Sequence, residues 1–131
     1  MKELKMQLGK ISQIYYEIFG SPYDIEPKLH LIKANVTLKA KFELHKLGIE
    51  LEKVLKFVQE EHSALTKKYG AFDEKTNQYV IADKKTFEEE FTKVMETEVT
   101  INVNPISIDL FEGVQGVDYC PQFFNLLLEL N

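Results

Sequence analysis

The side chains that most often carry chemistry are thinly spread in this chain. Its histidines are His30, His45 and His62, and Cys120 is its single cysteine. His45 and His62 fall in one helical stretch but lie more than four turns apart, so they cannot share a metal within one chain. Neither has a cysteine or carboxylate at the short spacing of a zinc site, and Glu61 leaves the helix at a different angle from His62. A nucleophilic thiol needs an activating base. Cys120 is followed instead by Pro121 and an apolar run, the setting of a buried, inert cysteine. Runs of acids such as Glu88–Glu89–Glu90 read as the solvated face of a helix rather than as an acid/base pair. The glycines are scattered and make no phosphate-cradling loop. The expectation is a protein with no catalytic, cofactor-binding or metal-binding residues: not an enzyme.

Composition narrows the partners. All sixteen basic residues are lysine, and the formal net charge is −5. Arginine is the preferred residue for bidentate phosphate and base-edge contacts, so its absence argues against specific nucleic-acid binding. No apolar run approaches the roughly 20 residues that span a bilayer, and no basic segment followed by an apolar one opens the chain. The expectation is therefore no membrane and no signal peptide. A lone cysteine excludes an intrachain disulfide. Charge is uneven: residues 94–131 contain no lysine and carry Glu96, Glu98, Asp109, Glu112, Asp118 and Glu129. That acidic, apolar last third either keeps an apolar segment soluble or meets a basic partner.

The length of 131 residues suits one domain. Leu4, Leu8, Ile11, Tyr15 and Ile18 follow steps of four and three, which predicts an amphipathic helix over residues 2–19, ended by Gly20, Ser21 and Pro22. A connector follows, with a short extended stretch near Leu29 to Ile32. The pattern then predicts a long helix from about Val36 to Tyr69. Leu44, Leu47, Leu51, Val54, Val58 and Leu65 repeat at heptad spacing, and Leu38, Phe42, Leu55 and Phe57 add bulk beside them. Gly48, in mid-helix, marks a bend or the close approach of a neighbour. Ala71–Phe72 and Tyr79–Ile81 flank a polar turn and read as a hairpin. Asp83 caps a third helix with Phe87, Phe91, Val94 and Met95 inward. Val99, Ile101 and Val103 alternate as a half-buried strand, expected to pair with that hairpin or to offer an edge to a partner, and Ile106, Ile108 and Leu110 alternate again. Pro121 starts a terminal helix.

That terminal helix raises the main functional question. Phe123, Leu127 and Leu130 share one face, Phe124 and Leu128 an adjoining one, and burying both takes two neighbours. The residues expected to make protein contacts are therefore Phe123, Phe124, Leu127, Leu128 and Leu130, with Val54 and Val58 on the long helix next.

The order of these features resembles a group of small bacteriophage-encoded conserved proteins of unknown function. The likeness spans residues 36–131. It rests on the helix end "TKKYG", the hairpin "DEKTNQYVI", the acidic helix "KKTFEEEFTKVM", the strand "EVTINV", then "ISIDLFEGV" and "PQFFNLLLEL". The resemblance implies a phage origin and a non-enzymatic role in or near the virion, with the protein in the host cytoplasm during infection. It supplies no catalytic residues.

The whole reads as a single α+β domain over 1–131, predominantly helical. Residues 1–35 form an N-terminal helix and connector, 36–70 the long helix, and 71–131 a small α+β part with a small antiparallel β element and the terminal helix. The functional expectation is an accessory or assembly protein acting through protein–protein contact or self-association as a homo-oligomer. The rival is a small acidic inhibitor that binds a host nucleic-acid-binding or defence protein.

Overall fold

The structure, a computed structural model, describes residues 2–20, 31–114 and 120–130. In chain order the elements are β1 (Lys2–Gln7), α1 (Leu8–Phe19), α2 (Leu38–Tyr69), β2 (Gly70–Asp73), β3 (Gln78–Ile81), α3 (Lys84–Glu96), β4 (Glu98–Val103) and α4 (Pro121–Leu130). Single 3-10 turns occupy Leu31–Lys33 and Ile108–Phe111. The fold is predominantly helical α+β, and among the described residues there are two separate two-stranded antiparallel sheets, β1–β4 and β2–β3.

The spine is α2, 32 residues and roughly 48 Å long. Thr37 begins it: its side-chain oxygen accepts the Ala40 N–H at 3.1 Å, satisfying one of the helix's orphan donors. Lys67 and Lys68 sit in the last turn, where the carbonyl end of the dipole favours cations. Leu44, Leu47, Leu51, Leu55 and Val58 are buried, and Val54 is half-buried beside them. Against this stripe lies α1, whose Leu8, Ile11, Ile14 and Ile18 are fully buried. Gly48 lets the two helices meet. A Cβ there would lie 2.6 Å from Phe19 Cζ, so the glycine marks a close neighbour.

Residues 2–7 differ from the sequence expectation of a helix starting at residue 2. They form β1, paired antiparallel with β4 in the register Leu4↔Ile101 and Met6↔Val99. The stretch fits both periods, because Leu4, Met6 and Leu8 also alternate. The strand wins because β4 needs a hydrogen-bonding partner, and β1 supplies it. So β4 does not pair with the β2–β3 hairpin, and the second alternation, Ile106 to Leu110, is not a strand. Residues Ile108–Phe111 make a 3-10 turn, with the Ser107 hydroxyl accepting from the Asp109 N–H at 3.3 Å. The expected extended stretch near Leu29 to Ile32 is a 3-10 turn from Leu31, and its earlier residues lie outside the described ones.

The hairpin and α3 form as their local signals predict, at the C-terminal end of α2. The Asp83 carboxylate accepts the Thr86 N–H at 3.1 Å, and hydrogen bonding from the Thr86 side chain, then from this N–H, lowers the Asp83 pKa. This end of the molecule is thin. No residue of α3 is fully buried; Phe87, Phe91, Val94 and Met95 are half-covered, and His62 meets the Phe87 and Phe91 rings edge-on at 5.5 and 5.2 Å.

The terminal helix α4 closes the core at the other end. Phe123, Leu126, Leu127 and Leu130 are buried, and the Phe111 ring packs edge-on against Phe123 at 5.3 Å. The start of α4 is tied down by α1. One Glu17 carboxylate oxygen accepts the N–H groups of Gln122 at 2.8 Å and Phe123 at 3.4 Å, satisfying two orphan donors from a distant part of the chain. The Cys120 thiol donates to the Glu17 carbonyl at 3.4 Å and is fully enclosed.

Candidate protein-contact surface

The residues expected at an interface are mostly interior. Phe123, Leu127 and Leu130 on α4, and Val58 on α2, are buried in the protein's own core; Phe124 and Val54 are half-buried. Leu128 alone among them is open, 63% exposed. The two neighbours that the apolar tail requires are both intramolecular: α1 on one side and the 3-10 turn at Phe111 on the other.

An open apolar surface lies instead on α2, and Phe72, Tyr79 and Val80 of the hairpin are exposed as well. Leu38 is 84% exposed, Phe42 62% and Ile49 56%. Leu38 and Phe42 do not stand beside the buried stripe, as the sequence suggested, but on the opposite face with Ile49; of the other two residues expected beside it, Leu55 is buried and Phe57 exposed. Leu38, Phe42, His45 and Ile49 follow steps of four, three and four, the geometry of a seam that takes a second helix. A buried stripe and an exposed apolar stripe therefore share one helix, a pattern that a helix finished with its own packing does not need.

The seam has two different banks. On one runs a row of lysines at heptad spacing, Lys39, Lys46 and Lys53. Lys46 reaches over the Phe42 ring at 5.0 Å; Glu43 and Glu50 hold Lys46 and Lys53 from the outer side at 3.2 and 2.9 Å. The other bank is the aromatic end of α1. Phe19 covers Gly48 and stands 5.8 Å from the His45 ring, with the Tyr15 ring tilted against it at 4.9 Å. The Tyr15 hydroxyl donates to Glu52 at 2.7 Å, and that hydrogen bond, together with burial, raises the phenol pKa to about 12.

Past Ile49 the seam opens into a cavity of about 550 Å³ lined by Tyr15, Tyr16, Ile49, Glu52, Lys53 and Lys56. A neighbouring cavity of about 530 Å³ lies between α1, α2 and α3, against Val58, His62, Phe91 and Met95. Tyr16 and Gln59 line both, so the two form one trough. Val58 touches this surface, but the side chains that make it are Leu38, Phe42, Ile49, Tyr15 and Tyr16. The signal was in the sequence: a second run of four-three-four spacing, offset from the first.

Elsewhere the chemistry is quiet. Burial, and then the charge of Glu17, push the Cys120 thiol up to about 11, so it holds little thiolate. His45 and His62 meet aromatic rings, and His30 lies outside the described residues. Among the described residues no three or more His, Cys, Asp or Glu side chains are grouped to hold a metal ion. No described helix is long and apolar enough to cross a membrane. The acids of the last third are interspersed with bases: Lys2 and Lys5 lie on β1 beside β4, and the Lys2 ammonium donates to the Glu129 carbonyl. Asp118 lies outside the described residues.

Comparison with known protein families, with curated proteins and with solved structures finds no match to this chain.

Proposed function

We propose that this is a non-enzymatic accessory or assembly protein of the phage type, acting through protein–protein contact made at the α2 trough. The observation that carries the reading is the exposed seam of Leu38, Phe42 and Ile49 on a helix whose own core stripe faces the other way. Solvating three large apolar side chains in a row is unfavourable by roughly 25 cal/mol for each Å² left in water, and a partner removes that cost. The tail, which first suggested an interface, is occupied with the protein's own core and is assigned no partner.

A photoreactive phenylalanine at position 42 tests this reading. Irradiation of the purified protein, and of the protein in an extract of the cells that produce it, is expected to give a discrete protein adduct in at least one setting. The same group at Lys85, exposed on α3, is expected to give none. No discrete adduct at position 42 in either setting overturns the reading.

A further inference from the structure

We infer that the trough takes an amphipathic helix with acidic flanks, supplied by a different protein. This rests on the reading of the trough as a protein-contact surface and adds the kind of partner it fits. The seam's steps of four, three and four match the core positions of a helix pair, so a helix laid along α2 seats its own apolar ridge against Leu38, Phe42 and Ile49. One bank is already filled by Phe19 and Tyr15 of α1, so the approaching helix lies toward the other, where the row of Lys39, Lys46 and Lys53 flanks it.

That row decides the partner's charge: Glu43 and Glu50 pair with Lys46 and Lys53, but with Lys41 and Lys56 the lysines outnumber Glu43, Glu50 and Glu52 by five to three, so the face keeps an excess of cations. In a helix pair these flanking positions face flanking positions of the opposite helix, and like charges there repel. A second copy of this chain, seam to seam and antiparallel, sets lysine row against lysine row. A helix with glutamates or aspartates flanking its ridge is attracted instead, and in the lining of the 550 Å³ cavity Lys53 and Lys56 outnumber Glu52, which already accepts from the Tyr15 hydroxyl, so the same preference extends beyond Ile49. The cavity, walled by Tyr15 and Tyr16, accepts one large apolar side chain from the end of that ridge.

The test uses the full chain and two fluorescent designed heptad peptides, alike in their leucine core, one flanked by glutamate and one by lysine. Anisotropy at about 50 mM salt is expected to show the glutamate peptide bound at least about tenfold more tightly, the sum of three ion pairs of the exposed kind. Phe42→Ser is expected to weaken that binding about tenfold with an unchanged melting temperature. The triple variant Lys39→Glu, Lys46→Glu, Lys53→Glu is expected to reverse the preference. Equal or absent binding of the two peptides overturns the inference. So does a concentration-dependent doubling of molar mass that Phe42→Ser abolishes, which makes the occupant a second copy. So does tighter binding to anionic phosphatidylserine vesicles than to the glutamate peptide. A discrete adduct at position 42 alongside failure of the glutamate peptide leaves the contact surface standing and removes only the acidic helix. Failure of both removes both.

Discussion

Gly48→Ala tests the close approach of α1 to α2. In most mid-helix positions this change stabilises by about 1 kcal/mol, because alanine loses less backbone entropy on folding. Here the new methyl would meet Phe19 Cζ at 2.6 Å and Cε2 at 2.7 Å, so the ring must retreat by roughly 0.8 Å to ordinary contact. It has little room, since the Tyr15 ring packs against it at 4.9 Å and His45 stands at 5.8 Å. Overpacking of this kind costs about 1–3 kcal/mol, which exceeds the propensity gain. The expected result is a net loss of about 1 kcal/mol. In a Phe19→Ala background the obstruction is gone, and the same substitution should stabilise by about 1 kcal/mol. The sign reversal corresponds to a coupling of about 2 kcal/mol, well outside the additivity expected of independent sites. Urea unfolding of the four proteins, at one concentration and pH, measures it. If Gly48→Ala stabilises both backgrounds equally, Phe19 does not occupy the notch, and the α1 bank of the trough is misplaced.

Other outcomes can be checked in the same way. Leu127→Ala should cost about 3 kcal/mol, because the side chain is fully buried, whereas Leu128→Ala next to it should stay within about 0.5 kcal/mol. Equal losses at the two positions would return the tail to the role of an interface. Glu17→Ala should cost about 1 kcal/mol through the two N–H groups it strands at the start of α4, and Glu17→Gln, which keeps an acceptor oxygen, should cost less. Burial raises the Glu17 pKa above its ordinary 4.5, against the smaller opposing effect of those N–H groups. Its contribution is therefore fully present below about pH 4.5 and lost as pH rises through the raised value. Relative to Glu17→Gln, the natural chain should gain stability as pH falls from 7 to 4, and a gap that is flat or widens the other way contradicts the assignment. Labelling of Cys120 by a thiol reagent at pH 8 should be at least about 100-fold slower in the folded chain than in urea, since a pKa of about 11 in place of 9.0 removes that much thiolate before enclosure is considered. Comparable rates would place the thiol at the surface.

The elements legible in the sequence are those whose signals are local. The long helix carries its cap at Thr37 and its cations at Lys67 and Lys68; the hairpin, the Asp83 cap and the alternation of Val99, Ile101 and Val103 each sit within a few residues of what they specify. Gly48 announced either a bend or a close neighbour, and the structure decides for the neighbour, Phe19. What sequence alone left open were choices between two patterns that fit equally well. Residues 2–7 satisfy a helical and a strand period, and only the arrival of β4 from the far end of the chain supplies the backbone partners that select the strand. The tail's apolar residues are equally consistent with a core and with an interface, and the positions of α1 and Phe111 decide for the core. The long helix bears two apolar stripes, and nothing within it says which is inside. The stripe of Leu44, Leu47 and Leu51 is interior because α1 and β4 pack there, and that packing leaves Leu38, Phe42 and Ile49 in water. Periodicity fixes which residues share a face; which face is buried depends on surfaces contributed by distant segments, and that information exists only once the chain has folded.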